Sequence, residues 1–241
     1  RINSGKEAKY VKQQLSLLNI KSKVIRVDKN KIFKKNMNEA RINRFENLID
    51  YCEKKKILHL FLGHHFDDNL ETFILRKVAG SNFEGLRSMQ KTLYLKNVQI
   101  LRPLLIFNKK DILKFNLNYN LKFVLDSSNL NPKYTRVVVR NFFLKNHRYK
   151  ILIKNDFKLI IKNYPYYQKM IYQIFNKIIV NIDKKLIIIN GINLLKQDIE
   201  IQIKIILIIY RYFRPNKIVR YQKILNLINL MKKNINFKVN L

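Results

Sequence analysis

The sequence predicts an α/β protein, with an open parallel sheet in its N-terminal part and a separate helical domain after it. Helical and strand-like patterns alternate over residues 1–62, which is typical of such a sheet. Residues 57–62 form an almost continuous apolar run, as expected of a parallel strand that is covered on both faces. From about residue 149 glycine becomes rare, and Ile, Leu, Lys and Asn recur at helical spacing. We therefore predict domains at residues 1–146 and 147–241.

The individual elements follow from the spacing of apolar residues. Apolar residues between Ala8 and Leu18 recur at helical spacing and predict a first helix. Residues 22–27 predict a short strand, and residues 37–55 predict a second helix with one apolar face. The strand at residues 57–62 follows directly.

The later elements of the first domain are shorter. Residues 93–105 predict an extended stretch, after which Asn108 is expected to cap a helix that runs through Phe115. Residues 123–125 predict another short strand, which leads into the motif at residues 126–129. The first domain therefore alternates strands and helices up to its end.

The charge of the chain predicts a polyanionic partner. Lys and Arg number 49 against 16 Asp and Glu, so the formal net charge is +33. A chain this basic attracts nucleic acid, because phosphates release counterions when lysine and arginine neutralise them. The chain is also rich in Lys, Asn and Ile throughout, so solvated lysines without a partner remain an alternative reading of the same number.

Two compositional facts exclude other classes. The single cysteine, Cys52, excludes a disulfide framework, a cysteine-rich zinc site and a CxxC redox motif. The most apolar run, residues 199–210, is interrupted by Lys204 and is too short to cross a bilayer. We therefore expect a reducing, cytoplasmic location and no membrane partner.

The segment that carries chemistry is GHHFDDNLET, residues 63–72. It follows the strand at residues 57–62, and ligands bind at the carboxyl ends of strands in open α/β sheets. Asp67, Asp68 and Glu71 are expected to cluster on the first turn of a helix that begins at Asn69. Acidic residues also favour a helix start without any function. The segment leaves two chemistries open, namely divalent metal binding by the histidines and aspartates, or the holding of an amine by the carboxylates.

Several motifs then resemble one family. Residues 64–72 resemble the HHxDDxxET signature of the PP-loop ATPases that modify tRNA, and four further motifs follow in the same order. These are Arg76 with Gly80-Ser81 and Gly85-Leu86 (LxRLxRGSGLxGL), Arg102-Pro103-Leu104-Leu105 (RPLL), Asp126-Ser127-Ser128-Asn129 (DxSN), and Tyr134-Thr135-Arg136 with Arg140 (YxRNxxR). Residues 1–146 are therefore similar to the tRNA(Ile)-lysidine synthetases. Asn69, Ala79 and Val137 depart from the family pattern.

The resemblance implies a sheet of the adenine nucleotide alpha hydrolase type and an ATP-dependent ligase. Such enzymes adenylate the C2 oxygen of the wobble cytidine in a tRNA(Ile) with a CAU anticodon, and free lysine then displaces AMP to form lysidine. The implied needs are ATP, Mg²⁺, tRNA(Ile) and L-lysine, with no metal bound by the protein itself and with a homodimer left open. The implied site residues are Asp68, Glu71 and Arg136 as catalytic groups, Asp67, Asp68 and Glu71 for lysine, His64 and His65 for the nucleotide, and Arg76, Arg102 and Arg140 for tRNA or phosphate.

One family motif does not occur in the 241 residues, namely the phosphate-binding SGGxDS loop. The residues from Arg1 to Ala8 resemble the segment that follows the second strand in this family, so we expect the loop and the first strands to precede Arg1. A non-catalytic tRNA-binding remnant is therefore an alternative, and a metal-dependent phosphohydrolase is another. An organellar matrix or stroma is an alternative location.

Overall fold

The chain is divided between two compact units. The computed structural model describes residues 4–26, 37–124, 133–214, 219 and 221–233. The first unit comprises Arg1–Ala79 and Ser88–Lys154, and the second comprises Gly80–Arg87 and Asn155–Leu241. The division falls inside a long helix that begins at His147, and the domain boundary at residue 146 stays a prediction.

Helices dominate the first unit among the described residues. They are α1 (Ser4–Leu17), α2 (Met37–Lys54), α3 (Phe66–Val78), α5 (Lys109–Asn118) and α6 (Thr135–Lys145), with a 3-10 helix at Pro103–Ile106 and the start of α7 (His147–Ile178). The strands are β1 (His59–Phe61), β2 (Thr92–Leu95) and β3 (Val98–Leu101). The predicted α/β class is thus present in this unit.

The sheet of the first unit is mixed. Its order is β1-β3-β2, in which β1 runs parallel to β3 and β2 runs antiparallel to β3. The predicted extended stretch at residues 93–105 is a hairpin that turns at Lys96, whose φ of 51° is the left-handed conformation that tight hairpin turns require. Among the described strands, only the β1–β3 pair therefore matches the predicted parallel arrangement.

Helix α2 covers one face of this sheet. Ile49 and Cys52 of α2 are buried in a cluster with Val98 and Ile100 of β3. The opposite face is open, since Phe61 of β1 is 65% exposed. The prediction that residues 57–62 are covered on both faces is therefore wrong, because β1 lies at the edge of a small sheet and the described helices pack on one side of it.

Two other predicted strands are not formed. Residues 22–26 and residues 123 and 124 lie in no strand, while Val27 and Leu125 fall outside the described residues. Val24 and Val124 instead line a groove beside α1. Apolar residues of strand length do not become a strand unless a neighbouring strand pairs with them.

The second unit is mainly helical. It contains α4 (Phe83–Leu86), most of α7, α8 (Gly191–Leu195), α9 (Ile199–Phe213) and α10 (Tyr221–Lys233), and β4 (Ile179–Ile182) pairs with β5 (Ile187–Ile189) in an antiparallel hairpin. Its core is built around α9, whose Ile203, Ile205 and Ile209 are buried. None of the helices in the described part of the chain is long and apolar enough to cross a membrane.

A polar cluster holds residues 80–87 in this unit. The Glu84 carboxylate accepts a hydrogen bond from Tyr164 Oη at 2.8 Å and binds Lys204 Nζ. The Arg87 guanidinium lies 3.5 Å from the centroid of the Tyr164 ring. Gly80 has a φ of 67°, so it ends α3 in the left-handed conformation that glycine adopts without strain. The predicted motif glycine at this position is therefore explained by a turn.

This cluster predicts a loss of stability at high pH. Burial, followed by the hydrogen bond to Glu84, raises the pKa of Tyr164 to about 12. Because the pKa is higher in the folded state than the value of about 10 in the unfolded chain, the stabilisation is complete below pH ~10 and is lost as the pH rises toward ~12. In urea unfolding, we expect the wild type to lose about 2 kcal/mol over this range relative to Tyr164→Phe. Parallel pH profiles for the two proteins would contradict the contact.

Candidate functional site

The site begins where β1 ends and α3 starts. The His65 imidazole Nδ1 accepts a hydrogen bond from the Asp68 backbone N–H, and Asp68 Oδ2 accepts one from the His65 N–H at 3.1 Å. This reciprocal capping box starts the helix at Phe66, three residues before the predicted start at Asn69. Asp67 and Asp68 are therefore on the first turn, whereas Glu71 lies on the second, so the prediction that all three acids share the first turn is wrong.

Asp67 already holds an ammonium group. Lys150 Nζ of α7 lies 2.9 Å from Asp67 Oδ1, and the backbone N–H of Lys109 donates to Oδ2 at 2.8 Å. Burial alone would raise the pKa of Asp67, but these two hydrogen bonds outweigh it and the pKa is lowered. Asp67 is therefore ionised at neutral pH and has the geometry to bind a primary amine.

Glu71 is the most buried acid of the group, with 2% of its surface exposed. Both of its oxygens face the Arg140 guanidinium, in a bidentate pair whose second hydrogen bond is 3.2 Å long. Arg136 Nη1 lies 3.6 Å from Glu71 Oε2, and its Nη2 donates to Thr72 Oγ1 at 2.9 Å. Helix α6 thus brings both predicted arginines, four residues apart, onto the carboxylate of α3.

Asp68 is the acid that lies between Asp67 and Glu71 in the sequence of α3. Its Oδ1 is 3.8 Å from Arg140 Nη2, which is a long distance for an ion pair. Its side chain is neither fully buried nor freely exposed. Asp68 Oδ1 therefore has no close partner among the described residues, whereas both oxygens of Asp67 and both oxygens of Glu71 are hydrogen-bonded.

Three arginines, Arg41, Arg102 and Arg136, contribute positive charge at His64 and form a cationic group with it. Burial, followed by the positive charges of Arg102, Arg41 and Arg136, lowers the pKa of His64 against the opposing effect of Asp68. The imidazole is therefore neutral at pH 7. Its Nδ1 is buried and has no hydrogen-bond partner among the residues that the structure describes.

Arg102, like His64, has a buried nitrogen without a hydrogen-bond partner among the described residues. It is only 7% exposed, and its Nη1 donates to the Gln90 carbonyl at 2.8 Å, but its buried Nε has no hydrogen-bond partner within the described ranges. Burial and then Arg41 lower the pKa of Arg102. Buried polar atoms without partners are costly, so these atoms of His64 and Arg102 fit an anionic ligand that would satisfy them.

The remaining predicted residues have structural partners. Arg76 donates to the Ser88 carbonyl at 3.3 Å. Asn69 makes two hydrogen bonds with the backbone of Met89, and Val137 is buried in the core. These two departures from the family pattern therefore have local roles in packing. The predicted motif at residues 126–129 lies outside the described residues.

Sequence reasoning did not assign three residues that lie in the site. Lys150 binds Asp67 from α7, Thr72 orients Arg136, and Arg41 of α2 acts on His64 and Arg102. Two of them had a sequence signal: Thr72 is the last residue of the HHxDDxxET-like segment, and Arg41 ends the segment Glu39-Ala40-Arg41, which fits an EAR helix of the same family. Lys150 is recognised only from spatial proximity.

The described residues do not form a metal site of their own. No group of three or more His, Cys, Asp or Glu side chains in the described part of the chain is placed to hold a metal ion. His65, Asp67 and Asp68 instead hydrogen-bond to protein groups. The geometry therefore joins an acidic group that can hold an amine to a cationic group that can hold a phosphate.

The chain is similar in sequence to known proteins of one family. A family model described as the PP-loop domain matches residues 1–147. The tRNA(Ile)-lysidine synthase of Wolbachia sp. subsp. Brugia malayi is 38% identical over 153 residues, which are 63% of this chain and 36% of that protein. That of Orientia tsutsugamushi is 40% identical over 103 residues, or 43% of this chain and 23% of that protein. That of Rickettsia felis is 32% identical over 149 residues, or 62% and 34%.

These matches confirm the resemblance to tRNA(Ile)-lysidine synthases. The chain spans about a third of the length of the Wolbachia and Rickettsia relatives, and the family model covers the residues from α1 to the start of α7. By its α/β fold, by the acidic and cationic groups after β1 and by the match over residues 1–147, the chain belongs to the PP-loop domain family.

Proposed function

We propose that this chain is the lysine-binding and RNA-binding part of an ATP-dependent ligase that forms lysidine in tRNA(Ile) with a CAU anticodon. One observation carries the proposal: Asp67 and Asp68 lie beside a group of cations at the carboxyl end of β1. The names of the similar proteins support this substrate. The reaction would occur where tRNA and ATP meet, in the cytoplasm or in an organellar matrix or stroma.

In this proposal the acids seat the side chain of free lysine. Asp67 already accepts a primary ammonium, that of Lys150, at 2.9 Å. Asp68, one residue along the same helix turn, would accept the ammonium of the substrate. Glu71 contributes to the lysine site by holding Arg140 and Arg136, because both of its oxygens are engaged by guanidinium groups. Charge-assisted hydrogen bonds from an ammonium group to these aspartates would orient the amine of the substrate.

The cationic group would hold the nucleotide. The neutral His64 imidazole and the partly unsatisfied Arg102 guanidinium suit phosphate or adenylate oxygens, and Arg136 would stabilise charge on the transferring group. His65 caps α3 beside them, and Arg76, Arg102 and Arg140 would supply further positive charge toward phosphate or tRNA. Mg²⁺ would come with the ATP phosphates, for which these described residues offer no separate ligand set.

The proposed reaction has two steps, adenylation of the cytidine and attack by lysine. The C2 oxygen of cytidine attacks the α-phosphorus of ATP, and pyrophosphate leaves. The lysine ammonium gives a proton to solvent water, the free amine attacks C2, and the bond from C2 to the AMP oxygen breaks so that AMP leaves. Arg136 favours the first step by opposing negative charge, and Asp68 favours the second by orienting the amine.

The rest of the architecture is part of the same proposal. We infer that further parallel strands extend the small sheet beside β1 and that the mainly helical second unit contacts tRNA. A homodimer is compatible with it. A non-catalytic tRNA-binding remnant is the second candidate, because the net charge of +33 suits tRNA binding with or without catalysis. No described contact favours a phosphohydrolase.

The proposal is tested by incubating the full-length protein with ATP, labelled lysine and an unmodified tRNA(Ile) transcript with a CAU anticodon. We expect ATP-dependent incorporation of label, which is lost when the wobble cytidine is replaced by uridine. A full-length protein that binds the transcript but incorporates no lysine would refute the ligase and leave the tRNA-binding remnant.

A further inference from the structure

The outer face of α7 carries an exposed basic stripe that nothing in the lysine site explains. We propose that the stripe of Lys158, Lys162, Tyr166 and Lys169 binds RNA, with the lysines on phosphates and the tyrosine stacked on an unpaired base. The inference rests on the proposed function, because that function makes tRNA the partner. It adds which surface of the second unit makes the contact.

The geometry of a helix places these residues together. Their spacings of four, four and three residues put them on one face of α7. The buried face of the same helix is formed by residues at other positions, namely Phe157, Tyr164, Ile171, Phe175 and Ile178. The stripe is therefore turned away from the core, and all four of its side chains are exposed, with Tyr166 70% exposed.

The charge of this face suits a polyanion. Asp156 is the only acidic residue of α7, and it does not share the face of the stripe. Lys158, Lys162 and Lys169 make no ion pair with any residue that the structure describes. Lysines held close together without acids repel one another, so a partner with several phosphates gains from meeting all of them.

The length of the stripe matches several phosphates. Eleven residues separate Lys158 from Lys169, which corresponds to about 16 Å along the helix axis. The phosphates of one nucleic acid strand in a duplex are ~3.4 Å apart along the axis, so even a single strand offers each of the three lysines a different phosphate. Tyr166 projects between the second and third lysine, and an exposed tyrosine among cations is the arrangement that stacks on single-stranded bases.

The test compares two triple variants of the 241-residue chain that have the same net charge. One carries Lys158→Gln, Lys162→Gln and Lys169→Gln. The control carries Lys6→Gln, Lys9→Gln and Lys12→Gln, which change three exposed lysines of α1. Binding to the unmodified tRNA(Ile) transcript is measured by fluorescence anisotropy between 50 and 250 mM salt, at about six concentrations chosen to resolve the slope.

For the α7 variant, we expect the plot of the logarithm of the association constant against the logarithm of the salt concentration to be less steep by about 2–3. Binding at the middle of the salt range should be at least about tenfold weaker. The control should stay close to the wild type. Equal curves for the two variants would overturn the assignment of the lysines. Tyr166→Ala should weaken binding by at least about fivefold and Tyr166→Phe should not, so wild-type affinity for Tyr166→Ala would overturn the stacking role.

Two further measurements distinguish RNA binding by the stripe from lipid binding and from the proposed ligase activity. Vesicles of phosphatidylglycerol and phosphatidylcholine serve as a second probe, and stripe-dependent binding to vesicles without binding to tRNA would show a lipid surface and contradict an RNA surface. If the stripe binds tRNA but the full-length protein incorporates no lysine, the proposed ligase fails while the RNA surface stands. If lysine is incorporated and the α7 variant binds like the control, the ligase stands and the stripe fails.

Discussion

Replacing Arg140 with alanine is expected to destabilise α3 by about 3 kcal/mol. The reason is that Glu71 is almost fully buried and its carboxylate is neutralised mainly by the bidentate contact with Arg140. Arg136 is 3.6 Å away and would be left as the nearest cation. Removal of one member of a buried pair costs more than the pair contributes, because the remaining charge stays in a poorly solvated place.

The measurement is hydrogen–deuterium exchange of the α3 amides. We expect exchange to become more than about a hundredfold faster in Arg140→Ala. Arg26→Ala, which changes an exposed arginine of the same unit, is the control and should leave the α3 amides unchanged. A double variant with Glu71→Ala should recover part of the loss, since it removes the stranded charge. Equal exchange in the two single variants would show that Glu71 does not depend on Arg140.

The second large effect is expected for Asp68→Asn in the full-length protein. The asparagine keeps the size and an oxygen that can accept the His65 N–H, but it removes the charge that we propose for the lysine ammonium. We expect kcat/KM for lysine to fall by about 10²–10³, because a charged partner of a charged group is lost. The assay is incorporation of labelled lysine into the tRNA(Ile) transcript at increasing lysine concentration.

Asp111→Asn provides a matched control for this change. Asp111 occupies the same position in the capping box of α5 that Asp68 occupies in that of α3, and its Oδ2 accepts the Asn108 N–H at the same distance, 3.1 Å. Loss of a helix-start carboxylate as such would therefore affect both variants equally. Similar rates for Asp68→Asn and Asp111→Asn would contradict a lysine-binding role of Asp68.

Local signals in the sequence predicted the parts of the site that depend on neighbouring residues. The carboxylates after β1 were expected from one continuous segment, and Asn108 was expected to cap α5, as it does. The resemblance to the YxRNxxR motif implied Arg136 and Arg140 as site residues, and in the structure both guanidinium groups lie against Glu71.

Contacts between residues that are far apart in the sequence could not be predicted in the same way. The contact of Lys150 with Asp67 joins residues that are 83 positions apart, and the periodicity of apolar residues does not predict it. Residues 22–26 have strand-like composition but pair with no described strand. The start of α3 was misplaced for a different reason, since a histidine served as its cap where Ser, Thr, Asp or Asn is usual.

The proposed binding of lysine at Asp68 is tested most directly by a crystal structure of the full-length protein with lysine and a non-hydrolysable ATP analogue. We expect the lysine ammonium at about 2.7–2.9 Å from an Asp68 oxygen, with Glu71 still paired to Arg140 and the nucleotide phosphates beside His64 and Arg102. A lysine bound with its amine away from Asp67 and Asp68 would contradict the proposed binding.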